Sequence, residues 1–160
     1  MRVLIVYYSR TGNTKQMAEI IARGIKEEGI GVEMREVEKV KARDLLDYEG
    51  LIFGTPTYYG SCAYQIKRLL DESVSFHSQL DGKVGGAFTS SANVGGGNET
   101  AILSILEAML IHGMIVQGDP QGDHYGPVAI DSLDARARDN CERFAKRFVH
   151  LLRRVYQQAR

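Results

Sequence analysis

Only two cysteines occur in the 160 residues, Cys62 and Cys141, and they form no CxxC pair. That usage excludes a disulfide framework and points to a reduced, cytoplasmic setting. No run of about 20 apolar residues is present, so no membrane-spanning helix is expected. The apolar part of MRVLIVYYSRTG is too short for a secretory signal. Charge of one sign is missing too, since 20 Lys and Arg balance 20 Asp and Glu. Without a net field, neither nucleic acid nor a membrane surface is an expected partner. The four histidines show no ligand spacing, so no metal is expected. GxxxxGK(S/T) and GxGxxG are both absent, which excludes a triphosphatase loop and the usual dinucleotide fingerprint. There is no internal repeat and no linker rich in Pro or Ser. What remains is ample for a core: 44% of residues are hydrophobic, and residues 1–160 read as a single domain.

Short apolar runs alternate with helical patterns. RVLIVYY has the length and β-branching of a buried strand. Residues 12–28 follow, with Met17, Ile20, Ile21, Gly24 and Ile25 on one helical face. GVEMREV alternates, as a strand with one wet face does. ARDLLDYEG reads as a short helix or turn. GLIFGTP, KVGGAFTSS and GMIVQG supply the third, fourth and fifth strands. A helix is expected over 62–72, with Tyr64, Leu69 and Leu70 partly inside, and another around Ile102, Ile105, Leu106, Met109 and Leu110. The last helix carries Leu133, Ala137, Cys141, Phe144, Phe148 and Leu152. Asp131 and Asp134 fall in its first turns and Arg153 and Arg154 at its end, which suits the helix dipole.

Strands separated by helices imply right-handed crossovers and a parallel sheet covered on both faces. The expected class is α/β, a three-layer sandwich around a five-stranded parallel sheet in the order 2-1-3-4-5. Ligands of such sheets lie at the carboxyl ends of the strands, where the order reverses. The loops after strands one, three and four are therefore the candidate site.

The first loop, SRTGNT, places Ser9, Thr11, Asn13 and Thr14 in six positions at a helix start. One such residue suffices to cap a helix. Four of them, with free amides and the helix dipole, suit a phosphomonoester, and Gly12 allows close backbone approach. The second loop, GTPTYYGSCAY, holds Pro56 between Gly54 and Gly60. Its Tyr58 and Tyr59 serve either as ordinary packing residues or as the wall of an aromatic ligand's site. The third, TSSANVGGGNET, offers Ser90, Ser91 and Asn93 to polar ring edges, and its glycines serve flexibility or tight passage around a flat ligand.

These stretches together resemble the flavodoxin superfamily. SRTGNT is similar to that family's phosphate loop, (S/T)-x-T-G-N-T. LLDYEGLIFGTPTYYG resembles its third strand and the loop over the flavin. LDGKVGGAFTSSANVGGGNET, with HYGPVA from His124, is similar to the WrbA-like NAD(P)H:quinone oxidoreductases. The resemblance implies a flavodoxin-like fold and bound FMN. Ser9, Thr11, Asn13 and Thr14 would hold its phosphate by side chains, and Arg10 and Gly12 mainly by backbone. Pro56, Thr57, Tyr58, Tyr59 and Gly60 would flank the isoalloxazine, with Ser90, Ser91, Ala92, Asn93, Val94 and Gly95 along its other edge. The chain departs from the WrbA-like proteins in length, lacking most of their late insertion. Its helix faces leave room for a homo-oligomer without demanding one.

Two activities fit that resemblance, an oxidoreductase and a carrier that docks redox protein partners. No charged residue occurs from Gly50 to Ile66 or from Val84 to Asn98. Such a rim suits a flat, largely apolar acceptor such as a quinone better than electrostatic docking of a protein. The third loop also has no aromatic residue to cover the flavin. The expected activity is thus a ping-pong transfer of two electrons from NAD(P)H to a quinone-like acceptor. Tyr58, Tyr59, His124 and Tyr125 would shape the acceptor pocket, and no side chain is assigned as acid or base. CAYQIKR satisfies the bare C-x5-R phosphatase pattern, but it reads as helix and leads nowhere. A receiver domain would need acidic residues where Tyr7, Tyr8 and Ser9 stand.

Overall fold

In the computed structural model, residues 1–157 are described. Strand β1 (Arg2–Tyr7) leads into helix α1 (Asn13–Glu27), then β2 (Gly31–Glu36). ARDLLDYEG, expected as a short helix or turn, forms the 3-10 helix Ala42–Asp47. Strand β3 (Gly50–Tyr58) turns back through the two-residue β4 (Ser61–Cys62) into α2 (Tyr64–Glu72). Strand β5 (Val84–Ser91), α3 (Asn98–Ile111), β6 (Ile115–Val116), β7 (Val128–Ile130) and α4 (Ala135–Gln157) complete the chain.

The sheet runs β2-β1-β3-β5-β6 with parallel neighbours along this path, the order read from the sequence. Its fifth strand is different from the expected one. GMIVQG contributes only Ile115–Val116, which pairs with Val84 and Gly85 at the start of β5. Val128–Ile130 pairs with Thr89 to Ser91 at the end of β5. Because β3 occupies the opposite edge of β5, β6 and β7 share one edge, and residues 117–127 loop out between them. The reason lies on α4. Asp119 is bound there by Arg143, whose Nη2 donates to Oδ1 at 2.9 Å, and Arg147 donates to the Gly118 carbonyl at 2.8 Å. Those contacts draw the chain off the sheet directly after Val116.

Alternation in β1 builds the three layers. Val3, Ile5 and Tyr7 face a cluster with Met17, Ile21, Phe148 and Leu152 of α1 and α4. Leu4 and Val6 face Phe53, Ile66, Ile105 and Met109 under α2 and α3. Each such fully buried side chain stabilises the fold by about 1.5–3 kcal/mol. The glycines of β5 have a packing reason. A Cβ on Gly85 would lie 2.7 Å from Met109 Sδ, and one on Gly86 would lie 2.6 Å from Phe144 Cζ.

Two helical expectations shift. Tyr64 opens α2 and is 68% exposed rather than partly inside, as that helix buries Ile66, Leu69 and Leu70 instead. Leu133, Asp131 and Asp134 precede α4 instead of lying in it. Asp134 Oδ1 accepts the Ala137 N–H at 2.8 Å, capping the helix from just outside. Among the described residues no helix is long and apolar enough to cross a membrane.

Candidate cofactor site

The parallel register brings the ends of β1, β3 and β5 side by side, with Tyr7 opposite Gly54 and Pro56 opposite Ser90. After β1, Gly12 takes a left-handed conformation, φ 101°, and starts α1. Ser9 Oγ accepts the N–H groups of Gly12 at 3.2 Å and Lys15 at 3.3 Å. It therefore organises the turn from below. The amides of Asn13 and Thr14 have no intrahelical acceptor, and the positive end of the α1 dipole lies there. Thr14 is buried, with its hydroxyl 2.9 Å from Ser90 Oγ. Asn13 Nδ2 donates to the Asp131 carbonyl at 2.7 Å, and the Asp131 N–H donates to the Ser91 carbonyl at 2.8 Å. One turn before α4 thus ties the first loop to the end of β5.

The second loop is a tight hairpin. Thr57 pairs with Cys62 and Tyr58 with Ser61, so Tyr59 and Gly60 form its tip. Both have positive φ, 49° and 75°, as a two-residue turn between twisted strands requires. Hydroxyls fix its base. Thr89 Oγ1 donates its one proton to the Thr55 carbonyl at 2.7 Å, so Thr57, 2.9 Å away, donates to Thr89. Tyr58 stands half-exposed, edge-on to Tyr8 at 6.5 Å. Tyr59 projects into solvent.

The third loop closes with Asn98 Nδ2 donating to Ser91 Oγ at 3.3 Å. It meets the hairpin backbone to backbone, for a Cβ on Gly97 would sit 2.6 Å from Gly60 Cα. The two uncharged stretches are therefore one continuous rim.

Between these loops lies a cleft of about 520 Å³. Ten of the residues expected from sequence line it: Arg10, Thr11, Asn13, Thr14, Pro56, Thr57, Tyr58, Ser90, Ser91 and Ala92. Ser9 and Gly12 shape the turn behind it. Tyr59, Gly60 and Asn93 lie outside the lining. Val94 and Gly95 border a second cleft of about 570 Å³, together with His124 and Tyr125. His124 Nδ1 donates to the Asp119 carbonyl at 2.7 Å, so residues 117–127 present both side chains there.

Asp131 also lines the first cleft, and sequence reasoning missed it. IDSLD after an apolar triplet is its only signal, and that reads equally well as helix-start acids. Arg10 and Asp131 are the two charged residues in the lining. The donor set of Thr11, Asn13, Thr14 and free helix amides matches a phosphate monoester, and Tyr58 with bare backbone matches a flat ring. Thiol chemistry has no footing at Cys141, where burial pushes the group up to about 12. The C-x5-R stretch is helical from Tyr64, so its amides converge on nothing.

Comparison with known proteins bears on the fold and the family. The flavodoxin family matches residues 5–110. The chain is 34% identical to a flavodoxin of Clostridium saccharobutylicum, over 98% of this chain and 100% of that one. It is 36% identical to an NAD(P)H dehydrogenase (quinone) of Sinorhizobium fredii, over 82% of this chain and 77% of that one. The crystal structure of oxidised flavodoxin 2 from Bacillus cereus superposes with a TM-score of 0.82 at 25% identity, covering 94% of this chain and 99% of that one. The chain therefore belongs to the flavodoxin family, and that membership implies FMN as its cofactor.

Proposed function

We propose that the protein is an FMN-dependent oxidoreductase that passes two electrons from NAD(P)H to a quinone-like acceptor. The observation that carries this reading is the rim. Residues 92–96 are exposed and hold neither charge nor aromatic ring, and they adjoin the second cleft at Val94 and Gly95. A flat apolar molecule covers no charged group on those five residues, while Glu99, Asp123 and Arg136 also line the adjoining cleft.

Thr11, Asn13, Thr14 and the first amides of α1 would hold the phosphate. Thr57, Tyr58 and the backbone at Ser91 and Ala92 would border the ring. FMN, when bound, supplies the hydride and electron chemistry. The chain positions it through the hydroxyl network of Thr55, Thr57 and Thr89, and Pro56 stiffens the same strand end. Donor and acceptor would use one opening in turn, the first leaving before the second enters. Tyr58, Tyr59, His124 and Tyr125 would shape that opening without moving a proton.

One observation favours a carrier instead. The Clostridium flavodoxin is matched over its whole length, whereas the Sinorhizobium enzyme is matched over 77% of its own. The FMN-loaded protein is assayed with NADH or NADPH and benzoquinone, and in parallel with a flavodoxin reductase protein. Steady oxidation of the nicotinamide dependent on the quinone supports the enzyme. Slow oxidation beside rapid reduction by the reductase protein would establish the carrier.

A further inference from the structure

We propose that Asp131 is a specificity-determining residue of the cofactor site, opposing the phosphate dianion and so limiting how strongly FMN is preferred over unphosphorylated flavin. This inference rests on the FMN reading above. Asp131 lines the same cleft as Thr11, Asn13 and Thr14, the groups that suit a phosphate. A phosphomonoester carries roughly two negative charges near neutral pH. Every other feature of that corner attracts such a group, the α1 dipole and the side-chain donors alike. Asp131, an exposed acidic residue of that lining, is the one feature of opposite sign, and its backbone position is not that of a loose loop. Its backbone is fixed at both ends, by the Asn13 amide on its carbonyl and by its own N–H on Ser91.

Asp131 has φ 60°, in the left-handed region that Gly, Asn and Asp all tolerate, so the backbone does not by itself select the charged residue. Fold alone would be served by any of the three, since the two backbone hydrogen bonds need no side chain. What Asp adds over Asn is a negative charge. Charged residues on the adjoining elements include Arg10 on the rim, Lys15 in the first turn of α1, Asp134, whose carboxylate is turned to the Ala137 amide, and Arg136, which is bonded to Asp123 and the Val128 carbonyl. Arg10 is exposed, where solvent screens its charge, so it offsets the carboxylate only in part.

The test is equilibrium binding to apoprotein, read by quenching of flavin fluorescence and requiring no turnover. Asp131→Asn is expected to tighten FMN on the order of tenfold at pH 7.5, from Coulomb repulsion across several ångströms of solvated cleft. Riboflavin affinity should stay within about twofold, since it has no phosphate to feel the change. At pH 5.5 the phosphate carries closer to one charge, and the gain in FMN should fall to about threefold. Asp131→Gly keeps the left-handed backbone without any side chain and should show the same pattern, which guards against a folding defect in either variant. Equal shifts for FMN and riboflavin, or no tightening of FMN in both variants, would overturn the proposal. Wild-type apoprotein that bound neither flavin would overturn it together with the cofactor reading.

Discussion

Gly97 shows how much of the site is decided by single positions. Its φ is 86°, and the space where a Cβ would stand is already taken by the Gly60 backbone. Ala there meets both a strained conformation and a contact that cannot yield by side-chain rotation. Gly97→Ala should cost about 1–3 kcal/mol of stability. Relief can come only by moving the hairpin and the third loop apart, so FMN affinity should drop as well as stability; denaturant melts and flavin titration of the variant measure the two losses separately. At this scale the sequence was legible where partners are close along the chain. Ser9, Asn13 and Thr14 gather within one turn, and four hydroxyl or amide residues at a helix start announce themselves. Asp131 was not legible, because its tie to Asn13 spans 118 residues and leaves no local pattern. Tyr59 was half legible. Its place at the loop tip could be read, but its outward direction follows from a hairpin whose second strand has only two residues.

Elements were legible in proportion to their length and periodicity. β1, β3 and β5 are long and apolar, and α1 and α4 carry clear faces. The fifth strand failed that rule because it is two short pieces, joined by a segment held from outside the sheet. Asp119 anchors that segment. It takes two donors from the Arg143 guanidinium and a second positive charge from Arg147 at 3.7 Å, and the Gln121 N–H donates to it at 2.9 Å. Its bond to Arg143, followed by the Gln121 and Gly122 amides, holds its carboxyl far below the usual carboxylate range. A carboxyl depressed in the folded state stabilises fully above its unfolded value, about pH 4, and progressively less as pH falls below it. Asp119→Asn should therefore lower the melting temperature by a constant amount between pH 8 and 5, and the gap to wild type should narrow below about pH 4. Hydrogen exchange at pH 7 should locate the loosening at residues 117–127, which also carry His124 and Tyr125. Unchanged exchange in that segment would show that β6 and β7 alone hold it.

For the whole molecule, the main fact is that three loops distant in sequence share one cleft while two separate apolar clusters hold the layers beneath them. The layers follow from alternation in the strands, and the sheet order was readable with them. How the loops meet follows from register, from Pro56 opposite Ser90 and Gly60 against Gly97, and no periodicity encodes it. A ligand in that cleft touches the ends of β1, β3 and β5 and the turn before α4 at once. It must then be released before any of these parts unfolds, so binding is coupled to global rather than local stability. Free FMN at a hundred times its dissociation constant adds about 2.7 kcal/mol to the folded state. For a domain of this size that is a rise in melting temperature of roughly 5–11 °C. Riboflavin at the same concentration lacks the phosphate contacts and should raise it less. Calorimetry of apoprotein with each flavin measures both, and equal shifts for the two would remove the first loop from the cofactor site.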